Sequence, residues 1–144
     1  MLLTLLAITM LTTCVIVQSA GMVVLIHWLT RIRNVIESQS APRRIGLLLR
    51  LFGCIVVLHL IQVGVWAVLF WRAQQVPTLE TALYFSLTTY TTIGFGDVVL
   101  GPGWRVLAGI EGLSGVLLLG WSTAFVFAVV NRMYEHWRKV HSPS

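Results

Sequence analysis

The sequence predicts an all-α membrane protein: three transmembrane helices, with a short re-entrant helix and loop between the second and the third. Three observations lead there. Hydrophobic residues make up 57% of the 144 residues and charged ones only 10%, a composition too apolar for an ordinary soluble domain. The runs Leu2 to Leu29, Leu47 to Trp71 and Val106 to Val130 can each cross a hydrocarbon core about 30 Å thick, which takes about 20 apolar residues in a helix. Between the last two runs lies a segment that opens on a helix-start signal and closes on glycines at alternate positions.

The first span, residues 1–29, lacks the basic leader and short apolar core of a signal peptide. It reads as a retained helix, peripheral to whatever the other two spans build. Arg31, Arg33, Arg43, Arg44 and Arg50 follow it, and Arg132, Arg138 and Lys139 follow the third span. Both clusters are cytoplasmic under the positive-inside rule, which puts the N-terminus outside and the C-terminus inside. Residues 30–46 then form a cytoplasmic linker. The formal charge of +5 is therefore a signal of topology, and nucleic acid is not implied. The first span has no ladder of arginines at every third position, so a voltage sensor is not expected.

Residues 47–71 form the second span. The polar run after Trp71 ends in Pro77-Thr78, which suits a helix start, so a helix is expected over 78–90. At 1.5 Å per residue it reaches only about 20 Å and cannot cross the bilayer. It runs straight into Thr91-Thr92-Ile93-Gly94-Phe95-Gly96-Asp97. Non-helical backbone at membrane depth survives only where protein buries it or where it lines water. The helix and loop therefore describe a re-entrant pore loop. Gly94 and Gly96 tolerate dihedrals that other residues avoid, so carbonyls along this strand can turn toward one axis and replace the hydration oxygens of a cation. The third span, residues 104–131, follows, and residues 132–144 read as a short polar and basic cytoplasmic tail.

The segment Thr91 to Asp97 resembles the potassium-channel signature. The resemblance extends back through Ala82-Leu83-Tyr84-Phe85-Ser86 and onward to about Arg132. It covers Leu47 to Arg132, in the order outer helix, pore helix, filter and inner helix of the bacterial two-transmembrane-helix channels. It implies a homotetramer in the bacterial inner membrane that passes K+ through a selectivity filter, residues 92–96. The ion sites would be the carbonyls of Thr92, Ile93, Gly94 and Phe95 with the Thr92 hydroxyl, and Gly96 would complete the strand. Asp97 would ring the outer mouth and attract cations. Phe95 departs from the commoner tyrosine and lacks its hydroxyl. Thr88 stands where some relatives carry a glutamate that pairs with this aspartate.

On the inner helix, Gly112, Val116, Leu119 and Thr123 recur at helical spacing and are the cavity-lining candidates that the resemblance suggests. Gly115 lies near the family's hinge glycine; close packing against the pore helix explains it equally well. Glu111 is an acid inside a span, where an ionisable group is costly and faces protein or water. It either bonds to pore-helix hydroxyls behind the filter, with Thr88 and Thr89 as candidates, or it rings the upper cavity. His27 and His59 are expected as buried, hydrogen-bonded residues, and the six tryptophans mostly as interfacial anchors. Cys14 and Cys54 are expected free, within apolar spans. Nothing in the sequence combines a nucleophile, a base and oxyanion donors, so no enzyme is expected, and no cofactor or small-molecule substrate is implied. The partners expected are copies of the chain itself and membrane lipid. A weakly selective cation channel and a non-conducting accessory subunit are the alternative readings.

Overall fold

The structure, a computed structural model, describes residues 1–32 and 41–141. Among the described residues four helices follow one another: α1 (Leu2–Arg31), α2 (Ala41–Arg72), α3 (Leu79–Tyr90) and α4 (Arg105–His141). Three of them, α1, α2 and α4, are long and apolar enough to cross a membrane. The 12 residues of α3 reach only about 18 Å, so α3 enters the bilayer and the chain turns back.

α1 buries Ala7, Met10, Cys14, Gln18, Met22, Leu25 and Leu29. Spacings of three and four place them on one stripe, and the rest of the helix faces outward. The hydroxyls of Thr9, Thr12, Thr13 and Ser19 donate to the carbonyls of Leu5, Ile8, Thr9 and Val15, four residues back, at 2.7–2.9 Å. These bonds satisfy polar groups that lipid cannot.

Two apolar layers join the helices. Ala7, Met10 and Cys14 of α1 pack with Val63, Trp66, Ala67 and Phe70 of α2, with Ala82, Phe85 and Tyr90 of α3, and with Leu107 and Leu118 of α4. At the other end Met22, Leu25 and Leu29 meet Leu47, Leu51 and Ile55 of α2 and Val129 and Met133 of α4. This pairing runs α1 antiparallel to α2 and parallel to α4.

Several boundaries differ from the sequence expectation. Residues 33–40 of the expected linker lie outside the described residues, as do the final three, 142–144. Residues 41–46 belong to α2 rather than to the linker. Pro42 falls in the first turn, where a missing N–H costs no hydrogen bond. At the other end α4 continues through most of the expected tail to His141. Leaving the apolar layer does not end a helix; a breaker does, and the first after Asn131 is Pro143. Met133 also packs into the second of the two apolar layers. Trp66 is fully buried in the core instead of lying at an interface. His27 is exposed on α1, whereas His59 is buried and bonded through both ring nitrogens. Both cysteines are free.

Candidate functional site

Thr78 starts α3 as expected, its hydroxyl accepting the Thr81 N–H at 3.1 Å, with Glu80 in the first turn to complement the positive end of the helix dipole. An aromatic cluster supports the helix from behind. Phe85 meets Phe70 edge-on at 5.4 Å between ring centroids, and Phe70 in turn contacts Trp66 and Trp104.

The last carbonyls of α3 then seize the chain that leaves it. Thr92 N–H donates to Thr89 O at 2.9 Å, Ile93 N–H to Thr88 O at 2.8 Å and Gly94 N–H to Thr88 O at 3.1 Å. Beyond this anchor the backbone alternates in handedness. Thr92, Gly94 and Gly96 have φ of 63°, 53° and 80°, while the intervening Ile93 and Phe95 do not enter the left-handed region. In an extended strand successive carbonyls point to opposite sides; alternating the sign of φ turns them toward the same side. The glycines take their angles freely, whereas Thr92 is strained by about 1 kcal/mol. Strain of this kind collects where structure serves function.

Asp97 closes the far end of the segment. Its Oδ1 accepts the Val98 N–H at 3.0 Å and its Oδ2 accepts the Tyr84 hydroxyl at 2.7 Å. The Tyr84 ring lies parallel to Phe95, 6° between planes and 6.5 Å between centroids. One side chain of α3 thus braces the loop at two points. Thr88, which stands where some relatives carry a pairing glutamate, turns its hydroxyl back to Phe85 O at 3.0 Å. Tyr84→Phe keeps the ring and deletes the bond to Asp97. We expect a stability loss of about 1 kcal/mol, read as a lowered melting temperature.

α4 runs behind and below this loop. A Cβ on Gly112 would stand 3.2 Å from Thr89 O, and one on Gly115 would stand 2.0 Å from Tyr90 O. Both glycines therefore let α4 touch the carbonyl end of α3, so Gly115 has a packing reason to be glycine. Gly112 and Val116 share a groove of about 540 Å³ with Thr92, Gly94 and Thr89. Leu119 and Thr123 do not reach it; they border a second groove, of about 430 Å³, with Phe52 and His59 of α2. Two of the four cavity-lining candidates are thus brought to the loop and two are not.

Glu111 is fully buried within the single chain, and neither carboxyl oxygen has a hydrogen-bond partner. Neither Thr88 nor Thr89 is its partner among the pore-helix hydroxyls. Each residue turns a helix by about 100°. Because Gly112 faces Thr89, Glu111 is swung to the flank of α3, where Ser86 lies within interaction range. An ionisable side chain buried without a partner is costly. Glu111→Gln keeps the shape and a hydrogen-bonding oxygen beside Ser86 while removing the ionisable group, and is expected to leave the melting temperature equal or higher; a clear loss would reveal a partner that only the carboxyl group serves.

The model of a family described as ion channel matches residues 45–132, more than half of the chain. The chain belongs to the ion channel family. The matched stretch holds nearly all of α2, then α3, the alternating loop and α4 as far as Arg132, which is the arrangement of a two-helix pore module. α1 precedes it as an additional membrane-crossing helix. As an ion channel, the chain is an integral membrane protein that carries ion transport. No curated protein and no solved structure matches it.

Proposed function

We propose that the chain is one subunit of a homotetrameric, potassium-selective channel, with Thr92-Ile93-Gly94-Phe95-Gly96 as its filter. The observation that carries this reading is the alternation of φ at Thr92, Gly94 and Gly96. It suits a strand whose carbonyls face one axis and stand in for the hydration shell of K+. The ion-binding oxygens are then the carbonyls of Thr92, Ile93, Gly94 and Phe95 and the Thr92 hydroxyl. No cofactor is required, because the chemistry is exchange of one oxygen shell for another.

One strand cannot encircle an ion, so four copies supply the ring. The exposure of Ile93 and Phe95, 58% and 68% in the single chain, supports this, since apolar side chains beside a pore need neighbours to cover them. Asp97 then forms a ring of carboxylates at the mouth and raises the local cation concentration. The negative end of the α3 dipole also points along the permeation path, toward the inner end of the filter. The arginine clusters after α1 and α4 argue for a cytoplasmic C-terminus, and with α1 running parallel to α4 the N-terminus then falls on the opposite side. The resemblance to bacterial two-helix channels favours a bacterial inner membrane.

The test is the reversal potential of purified protein in a planar bilayer with K+ on one side and Na+ on the other. A value near the K+ equilibrium potential is expected. Current that ignores the difference would make the chain a weakly selective cation channel. Silence from a folded assembly would favour an accessory subunit.

A further inference from the structure

Between the two apolar layers lies a polar one to which all four helices contribute. Gln18 of α1, His59 and Gln62 of α2, Tyr90 of α3 and Ser122 of α4 are all buried, the two glutamines completely. Their bonds close a ring. Gln62 Nε2 donates to Gln18 Oε1 at 2.8 Å, and Gln18 Nε2 donates to Ser122 Oγ at 2.9 Å. Ser122 Oγ meets His59 Nε2 at 2.9 Å, His59 Nδ1 meets Tyr90 Oη at 2.9 Å, and Tyr90 Oη donates to Gln62 Oε1.

Proton positions around the ring follow from one fixed direction. Gln62 Oε1 can only accept, so the Tyr90 proton is committed to it. Tyr90 oxygen must then accept from His59 Nδ1–H. A neutral imidazole protonated there presents Nε2 as an acceptor, which the Ser122 hydroxyl fills, leaving the Ser122 oxygen to accept from Gln18. Each of the five residues gives one proton and takes one, all in the same rotational sense. Such cyclic chains reinforce their members, and opening one leaves polar groups unpaired in apolar surroundings.

Tyr90 is where this ring touches the pore. It is the last residue of α3, its carbonyl lies against Gly115, and the carbonyls of Thr88 and Thr89 just before it hold the N–H groups of Thr92, Ile93 and Gly94. We propose that Gln18 of the N-terminal helix is a positioning residue for the filter, holding Tyr90 in place through the closed ring. This role rests on the filter reading above. It makes α1, which lies outside the matched pore module, a functional part of the pore and gives motion of α1 a route to the filter.

Full-length protein in planar bilayers tests it. Gln18→Leu, Ser122→Ala and Tyr90→Phe each open the ring, and each is expected to lower the K+/Na+ permeability ratio about fivefold. The Gln18→Leu/Tyr90→Phe double variant should be no lower than Tyr90→Phe alone, because one ring can be opened only once. Ile16→Ala, on the exposed face of α1, should match the wild type. Ser122→Ala removes a single hydroxyl and keeps the question answerable should Gln18→Leu fail to assemble. Nitrogen NMR of isotope-labelled histidine, with His59 assigned by its loss in His59→Gln, reads the ring without any current. The His59 resonances should move in Gln18→Leu, although Gln18 makes no hydrogen bond to His59. Unmoved resonances, an unchanged ratio, or effects that add in the double variant would each overturn the proposal. A wild-type channel that does not distinguish K+ from Na+ would instead remove the filter reading, and the role of Gln18 with it.

Discussion

Gly115→Ala should prevent the pore module from assembling. The added methyl carbon would stand 2.0 Å from Tyr90 O and 2.9 Å from Tyr90 C, both backbone atoms at the anchored end of α3. A flexible side chain could swing aside; this carbonyl cannot. α4 would have to separate from α3, which breaks the contact beneath the loop and strains the Tyr90 ring of hydrogen bonds. Overpacking a core by a methylene costs about 1–3 kcal/mol, and a collision with fixed backbone belongs at or above the top of that range. The measurement is the fraction of protein recovered as an intact assembly, by native mass, together with its melting temperature. Gly120→Ala is the control, since a Cβ there meets nothing within 4 Å in the chain. The comparison also separates packing from hinging. A pure hinge would become a stiffer, better helix with alanine and would assemble normally with altered gating. Normal assembly and melting of Gly115→Ala would therefore sink the packing account.

Gly94→Ala should abolish selective conduction while sparing the fold. Its φ is 53°, and a Cβ would meet nothing within 4 Å, so the penalty comes from the backbone and not from crowding. An L-residue forced into the left-handed region loses about 1–2 kcal/mol. In the proposed tetramer the same loss recurs in all four chains, at one level of the filter. The strand can escape by rotating the peptide, and the carbonyl then leaves the ion. We expect wild-type mass, a melting temperature lowered by no more than that local penalty, and no K+-selective current. Retained selectivity in the variant would mean that the alternating dihedrals are not what binds the ion.

The candidate site was legible wherever it depends on local backbone properties. Thr92 to Asp97 announced itself through glycines at alternate positions behind a helix too short to span, and the structure does place Gly94 and Gly96 in the left-handed region. Thr92 was not foreseen there, because threonine has no preference for it; the anchoring bonds from α3 impose it. With Thr88 in place of the relatives' glutamate, the sequence names no partner for Asp97; the structure supplies Tyr84, a tyrosine whose reach only the folded loop reveals. Gln18 and Gln62, amides inside apolar spans, were the available clue to the ring. Their partners sit 104 and 44 residues away and could not be inferred from spacing.

By itself, then, the sequence determined three membrane-crossing helices, a short helix that cannot cross, and a glycine strand able to present its carbonyls. Length, hydropathy and the freedom of φ are properties of a segment and need no neighbours. Tertiary structure alone decided which faces meet. A single residue turns a helix by about 100°, so Glu111 lies beside Ser86 while Gly112 abuts Thr89. It also decided that Gln18 of the first helix closes a ring with the last residue of the pore helix, because the relative rotation of four helices is set by their packing against one another and by no one of them.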